Sequence, residues 1–210
     1  MKQESILLIG AGGHARACID VIEQGKQFTV AGLIGLPHEV GSQVLGYSVL
    51  GMDTDLSILL SKYSRVLVTL GQIKTPALRI KSFDVLLKMG CDLPVIISPT
   101  AYVSLHAKIG AGTIIMHGAT VNAGAVIGAN CIINSHSLIE HDAVIGDHCH
   151  ISTAAVINGG VRIGAGTFVG SNTCIRQSIR IGEHCLIGIG QRIIADCASE
   201  SCFPPIKEKV

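Results

Sequence analysis

Residues 132–151 read "IINSHSLIEHDAVIGDHCHI", and the spacing of four isoleucines in them decides the fold. Ile133, Ile139, Ile145 and Ile151 stand six residues apart. Stepping by six in both directions, from Ile97 to Ile193, meets Ile or Val at all 17 positions without an insertion. Four places after each aliphatic comes a mostly small residue: Ala107, Thr113, Ala119, Ala125, Cys131, Ser137, Ala143, Cys149, Ala155. A six-residue period fits neither a helix of 3.6 residues per turn nor the two-residue alternation of a hairpin sheet. It fits a parallel β-helix in which three hexads make one triangular coil of about 18 residues, with coils stacked about 4.8 Å apart. Each aliphatic then rests on the one 18 residues away, and the core is a thin dry column.

The composition agrees. Hydrophobic residues make up 48% of the 210, yet aromatics are 3% and Trp is absent, as a narrow core of Ile, Val, Ala and Cys requires. The mean hydropathy of +0.52 suggests a membrane protein. No apolar stretch, however, approaches the roughly 20 residues of a spanning helix, and "ILLIG" at the start is too short for a signal-peptide core. A formal net charge of +1 gives no support to nucleic-acid binding. Eight cysteines without a secretory signal or a CxxC pair point to a reducing, cytoplasmic location, with the thiols used as small buried hydrophobes.

Residues 1–95 follow a different rule. "SILLI" (5–9), "FTVAGLI" (28–34), "RVLVTLG" (65–71) and "LPVII" (93–97) read as strands. Between them "GGHARACIDVIEQG", "MDTDLSILLSKYS" and "TPALRIKSFDVLLKMG" carry helical spacing, capping residues and terminal glycines. Alternating strands and helices predict a small parallel α/β, Rossmann-like domain. The expected organisation is this domain over 1–95, a β-helix over 96–198 and a tail over 199–210.

With Ile133, Ile139 and Ile145 pointing inward, the residues two and three places later turn the corners of the prism. Those are Ser135 and His136, His141 and Asp142, and Asp147 and His148. Cys149 falls in the small inward slot and His150 faces out, so "HCH" is not expected to gather its side chains on a metal. Catalysis and a plain polar surface remain. A histidine near neutral pH suits proton removal from an amine or hydroxyl, and an adjacent carboxylate would orient its ring. Spacing alone does not choose among the histidines.

"LLIGAGGHAR", "VTLGQ", "TAYVS" after the junction and "INSHSLIEHDAVIGDHCHIS" together resemble the bacterial sugar O- and N-acyltransferases of the left-handed β-helix class. The class includes sialic acid O-acetyltransferases and UDP-amino-sugar N-acetyltransferases, and the resemblance covers nearly the whole chain. It implies acetyl-CoA as co-substrate and no metal. It implies His141 as general base, Asp142 as its partner and Asn134 orienting substrate. His150, Ser171 and Ile189 match acyl-CoA positions, and Arg176, Arg180 and Arg192 are candidates for its phosphates. Oxyanion stabilisation would fall to a backbone N–H or to His150. The family's C-terminal Gly-x-Pro-Ala is replaced by "SCFPPIKEKV". His150 follows His141 by nine residues, half a coil, so the two belong on opposite sides of one prism. If they serve one site, different chains supply them, and a homotrimer is expected.

"GAGGHA" (10–15) fits G-x-G-x-x-A between a strand and a helix, a turn that offers backbone amides to phosphate. NAD is disfavoured, because no acid follows the second strand until Glu39 and no second mononucleotide half is present. By resemblance this pocket takes a nucleotide-sugar acceptor on Gly12, Gly13, His14 and Gly71. Where the family often carries an Asp pair, this chain has Ile34 and Gly35. The expected activity is acetylation of a sugar, foremost the amine of a nucleotide-linked amino sugar for surface-glycan synthesis. The alternatives are O-acetylation of sialic acid or another small hydroxyl acceptor, and a non-catalytic scaffold that binds a sugar nucleotide.

Overall fold

The computed structural model describes residues 4–203. The N-terminal sheet contains β1 (Glu4–Ile9), β2 (Phe28–Ile34), β3 (Gln43–Val44), β4 (Tyr47–Gly51) and β5 (Arg65–Val68). Their order is β3-β4-β2-β1-β5, parallel except for the β3–β4 hairpin. The helices are α1 (Gly13–Gly25), α2 (Leu56–Leu60) and α3 (Ala77–Lys88). The helix expected over "MDTDLSILLSKYS" is only a 3-10 turn at Asp53–Asp55 followed by the short α2.

One strand changes place. Ile96–Ile97, expected to complete the α/β sheet, instead pairs with Ile114–Ile115 and opens the β-helix. Sixteen further two-residue strands follow to Arg192–Ile193, and Cys202–Phe203 adds one more. They stack as three parallel sheets, the faces of a left-handed prism. The first face runs through Ile114–Ile115, Ile132–Ile133, His150–Ile151 and Phe168–Val169. The second carries Thr120–Val121, Leu138–Ile139 and Val156–Ile157, and the third Val126–Ile127, Val144–Ile145 and Arg162–Ile163.

From Ile115 to Ile193 the six-step column is buried. A fully buried aliphatic is worth roughly 1.5–3 kcal/mol over an exposed one. Ile97, Val103 and Ile109 are less covered, because they belong to the open first coil. The small slot is interior too. The Cys131 and Cys149 thiols each donate to a carbonyl of the next coil, Gly146 and Gly164, at 3.2 Å. The hydrogen bond with the neighbouring Cys131 thiol, and then burial, hold the Cys149 thiol well above its ordinary range.

The two halves share one core. The outward side chains of Ile96, Ile114 and Ile132 are covered by Cys18, Ile19 and Ile22 of α1, whose other neighbours are Ile6 and Leu8 of β1. On the opposite side of the sheet, Phe83 and Leu86 of α3 pack on Leu7, Ile9 and Val66. Arg79 of α3 pins the junction: its guanidinium donates to the carbonyls of Val68, Leu70 and Asn130 and to Asn130 Oδ1 at 2.6–3.0 Å. It is 1% exposed, and burial pushes its pKa down to about 10. Arg79→Ala would strip four acceptors of a charged donor and open a cavity, so a loss of about 3 kcal/mol or more is expected by urea denaturation.

Candidate active site

His141 and Asp142 occupy the edge between the second and third faces. His141 Nδ1 meets Asp142 Oδ2 at 2.9 Å. Asp142 takes the left-handed conformation of the corner, φ 59°, which a short polar side chain tolerates. Two glycines make room. A Cβ on Gly159, one coil on, would stand 2.6 Å from His141 Nε2, and one on Gly124, one coil back, would strike the Asp142 carboxylate. Glu140 Oε2 accepts from Asn122 Nδ2 at 2.8 Å and from the His141 N–H at 3.3 Å. The imidazole borders a recess of about 460 Å³ lined by Glu140, Asn158, Gly159, Gln177 and Ser178.

The hydrogen bond to Asp142 raises the His141 pKa above its ordinary value. As the general base that the family resemblance implies, His141 must be unprotonated to act, so activity is expected to climb as pH rises through that raised pKa. Removing the charge in Asp142→Asn lowers the pKa. The acid limb of the kcat/KM profile should therefore move to lower pH while the plateau falls.

His150 sits on the first face. It leaves the prism as expected but does not reach solvent: the N-terminal domain covers it, and it is 8% exposed. Its Nδ1 lies 2.6 Å from the Gln72 carbonyl oxygen, which only accepts, so Nδ1 carries the hydrogen. Asn134 Oδ1 accepts the Ser135 N–H at 2.8 Å, which directs Nδ2 of the same amide at His150 Nε2, 3.2 Å away. Burial pushes the His150 pKa down to about 4. His150 is thus neutral, with Nε2 as an acceptor, and in this state it has no N–H to offer an oxyanion. Asn134 Nδ2, with a second hydrogen, does. Phe168 packs edge-on against the His150 ring, with centroids 5.1 Å apart.

The site residues therefore fall into two groups. Asn134 stands with His150 rather than with His141. Ser171 and Ile189 lie on that same edge, between the first and second faces, with Ser171 Oγ 2.9 Å from Ser152 Oγ. Arg192 is on the exposed second face, Arg180 on the third, and Arg176 at the His141 edge. "HCH" separates as expected: the Cys149 thiol is inside the prism, His150 faces Gln72, and His148 meets Asn130 and the Phe83 ring. Among the described residues no three His, Cys, Asp or Glu side chains are placed to hold a metal ion.

A cavity of about 740 Å³ opens at the carboxyl ends of β1, β2 and β4, walled by α3. Gly10, Ala11 and Gly12 line it; Gly13, His14 and Gly71 are not among its lining residues. Gly10, at φ 114°, leads out of β1 with Leu70 pressed against it, a position only glycine fills comfortably. A Cβ on Gly12 or Gly13 would meet nothing within 4 Å, so close packing of α1 does not explain either residue. Burial of the His14 ring, followed by the nearby Arg79 and His150, pushes its pKa down to about 3. Gln72, Arg79 and Asn122, which sequence reasoning passed over, connect these parts only in three dimensions. The paired glycines of "NGG" (158–160) were the one local signal.

Comparison with known proteins follows this division. Residues 5–83 match the PglD N-terminal domain, and residues 106–141 match the bacterial transferase hexapeptide (six repeats). No match was found among curated protein sequences. Among solved structures, a mutant perosamine N-acetyltransferase from Caulobacter crescentus, in complex with CoA and GDP-perosamine, is 30% identical. The match covers 98% of this chain and 97% of that one, with a TM-score of 0.88. The acetyltransferase domain of PglB from Neisseria gonorrhoeae, in complex with acetyl coenzyme A, is 28% identical over 94% of each chain, with a TM-score of 0.85. WeeI from Acinetobacter baumannii, 21% identical with a TM-score of 0.83 over 95% of this chain and 96% of its own, shares the fold.

Proposed function

The chain belongs to the hexapeptide-repeat sugar acyltransferase superfamily, and from that membership we propose that it transfers the acetyl group of acetyl-CoA to the amine of a nucleotide-linked amino sugar. The observation that carries this reading is end-to-end likeness, across both domains, to an N-acetyltransferase holding CoA and GDP-perosamine. It favours an amine acceptor over the hydroxyl of sialic acid, and an enzyme over a scaffold. The α/β domain supplies the acceptor cavity and the prism supplies the chemistry.

In this reading the unprotonated His141 Nε2 takes a proton from the amine as its nitrogen attacks the thioester carbonyl. Asp142 holds the ring through Nδ1 and favours the imidazolium that forms. Collapse of the tetrahedral intermediate breaks the C–S bond, and the imidazolium returns the proton to the departing CoA thiolate. The Asn134 amide is the donor we assign to the oxyanion, because the His150 ring holds it in orientation. Acyl-CoA lies along the edge of Asn134, Ser171 and Ile189.

In a single chain His141 is 67% exposed, too wet for efficient proton transfer, and Asn134 belongs to a different edge of the prism. The outward residues beside His141 are apolar: Leu138 and Val156 on the second face, Val126 and Val144 on the third. A homotrimer that covers these residues and brings the Asn134 edge of one chain to the His141 edge of the next answers both points. No helix among the described residues is long and apolar enough to cross a membrane. Both substrates of the proposed reaction are soluble cytoplasmic metabolites, which supports that location, upstream of surface-glycan assembly.

The product distinguishes the readings. With labelled acetyl-CoA and a nucleotide-linked amino sugar, the transferred acetyl should survive mild alkali and hydroxylamine as an amide. A label released by that treatment would be an ester and would make the enzyme an O-acetyltransferase.

A further inference from the structure

Linear spacing places no acid at the end of β2, where Ile34 and Gly35 stand. The fold brings one back. After Gly35 the chain makes a single 3-10 turn at Pro37–Glu39, and the Glu39 side chain folds over the strand end. Its Oε2 accepts the Leu36 N–H at 2.7 Å. The same oxygen would stand 2.8 Å from a Cβ on Gly35, so the carboxylate lies directly against that residue. Glu39 lines the 740 Å³ cavity together with Gly10–Gly12, the turn that leads into α1.

β2 is the hydrogen-bonded neighbour of β1, and the Gly10 N–H donates to Ile34 O at 2.8 Å. The strand end carrying Glu39 is therefore one strand, about 4.8 Å, from the turn that would hold a diphosphate. In a nucleotide the ribose is the group next to the phosphates, and an acid one strand over from the phosphate turn is placed for its hydroxyls. The base is farther away. One oxygen of Glu39 is committed to Leu36, so the carboxylate presents one free acceptor oxygen. That suits a single hydroxyl rather than the paired N–H donors of a guanine edge.

We propose that Glu39 reads the ribose of the acceptor nucleotide by accepting a hydrogen bond from its 2′-hydroxyl, and so restricts the enzyme to ribonucleoside diphosphate sugars. This rests on the reading of the acceptor as a nucleotide sugar.

Titration calorimetry of the full chain with UDP, GDP, CDP and ADP, each against its 2′-deoxy counterpart, tests the proposal without any substitution. Whichever ribonucleotide binds, its deoxy form should bind about 10-fold or more weakly, as expected for a hydrogen bond to a charged acceptor. Glu39→Ala should bind both forms alike, at the level of the deoxy nucleotide on the wild type, while keeping its affinity for acetyl-CoA; loss of the bond to the Leu36 N–H lowers its thermal midpoint modestly. Equal affinity of the wild type for the two forms, or dTDP binding as tightly as UDP, would overturn the role of Glu39 and leave the acceptor site standing. A wild type indifferent to the 2′-hydroxyl whose preference for GDP over IDP is lost in Glu39→Ala would assign Glu39 to the base instead and overturn the proposal. If none of the nucleotides binds, the reading of the cavity fails and the proposal with it.

Discussion

Replacing His141 with alanine should lower kcat by about 10²–10⁴-fold, the range for loss of a positioned proton acceptor, while leaving acetyl-CoA affinity unchanged. Asp142 holds the imidazole through Nδ1, Glu140 accepts the residue's backbone N–H, and the missing side chain of Gly159 leaves room at Nε2. None of these neighbours is a second imidazole that could take over its role. Because His141 lies on an exposed corner outside the aliphatic column, the variant should unfold at the wild-type urea midpoint. A fall in kcat with unchanged stability and unchanged acetyl-CoA binding separates lost chemistry from a lost fold.

A second large effect concerns where the site is completed. His141→Ala and His150→Ala should each be nearly inactive alone. His150→Ala removes the acceptor that orients the Asn134 amide and leaves the Gln72 carbonyl without its partner. Co-expressed in equal amounts and assembled at random as trimers, the two variants should regain activity at about one site in four, where an intact His141 of one chain meets an intact His150 of the next. A site built within one chain would regain none, since every chain then carries one lesion. Differently tagged chains allow mixed trimers to be purified before assay, and homotrimers of each variant give the baseline.

The β-helix was legible in the sequence because its rule is one-dimensional. Each Ile or Val recurs every six residues, and a single insertion would have displaced the whole column. Orientation followed from that rule: Cys149 inside, His141 and Asp142 at a corner. What failed depends on contact between the halves or on turns that carry no usual local signal. Ile96–Ile97 has the composition of a buried sheet strand and is one, but its partner is Ile114–Ile115 rather than β5. The β3–β4 hairpin was missed because its turn uses Leu45 at φ 49°, not the Asn or Asp that usually marks such turns. His150 does point out of the prism, yet the α/β domain lies over it and fixes it neutral. Glu39 was set aside on linear distance, and one 3-10 turn cancels that distance. Asn134 was grouped with His141 by resemblance. Within one chain they occupy separate edges, which is the observation that makes the partner subunit necessary to the proposed mechanism.

The most direct measurement is thiol release from acetyl-CoA by the purified wild type, with matched nucleotide sugars that differ only in an amine or a hydroxyl at the acceptor carbon. GDP-perosamine and UDP-linked 4-amino sugars would head the panel. Thiol should appear in step with the amine substrate, stay at background with the hydroxyl analogue, and fall to background in His141→Ala. Equal release from amine and hydroxyl acceptors, or full release in His141→Ala, would contradict N-acetylation with His141 as the base.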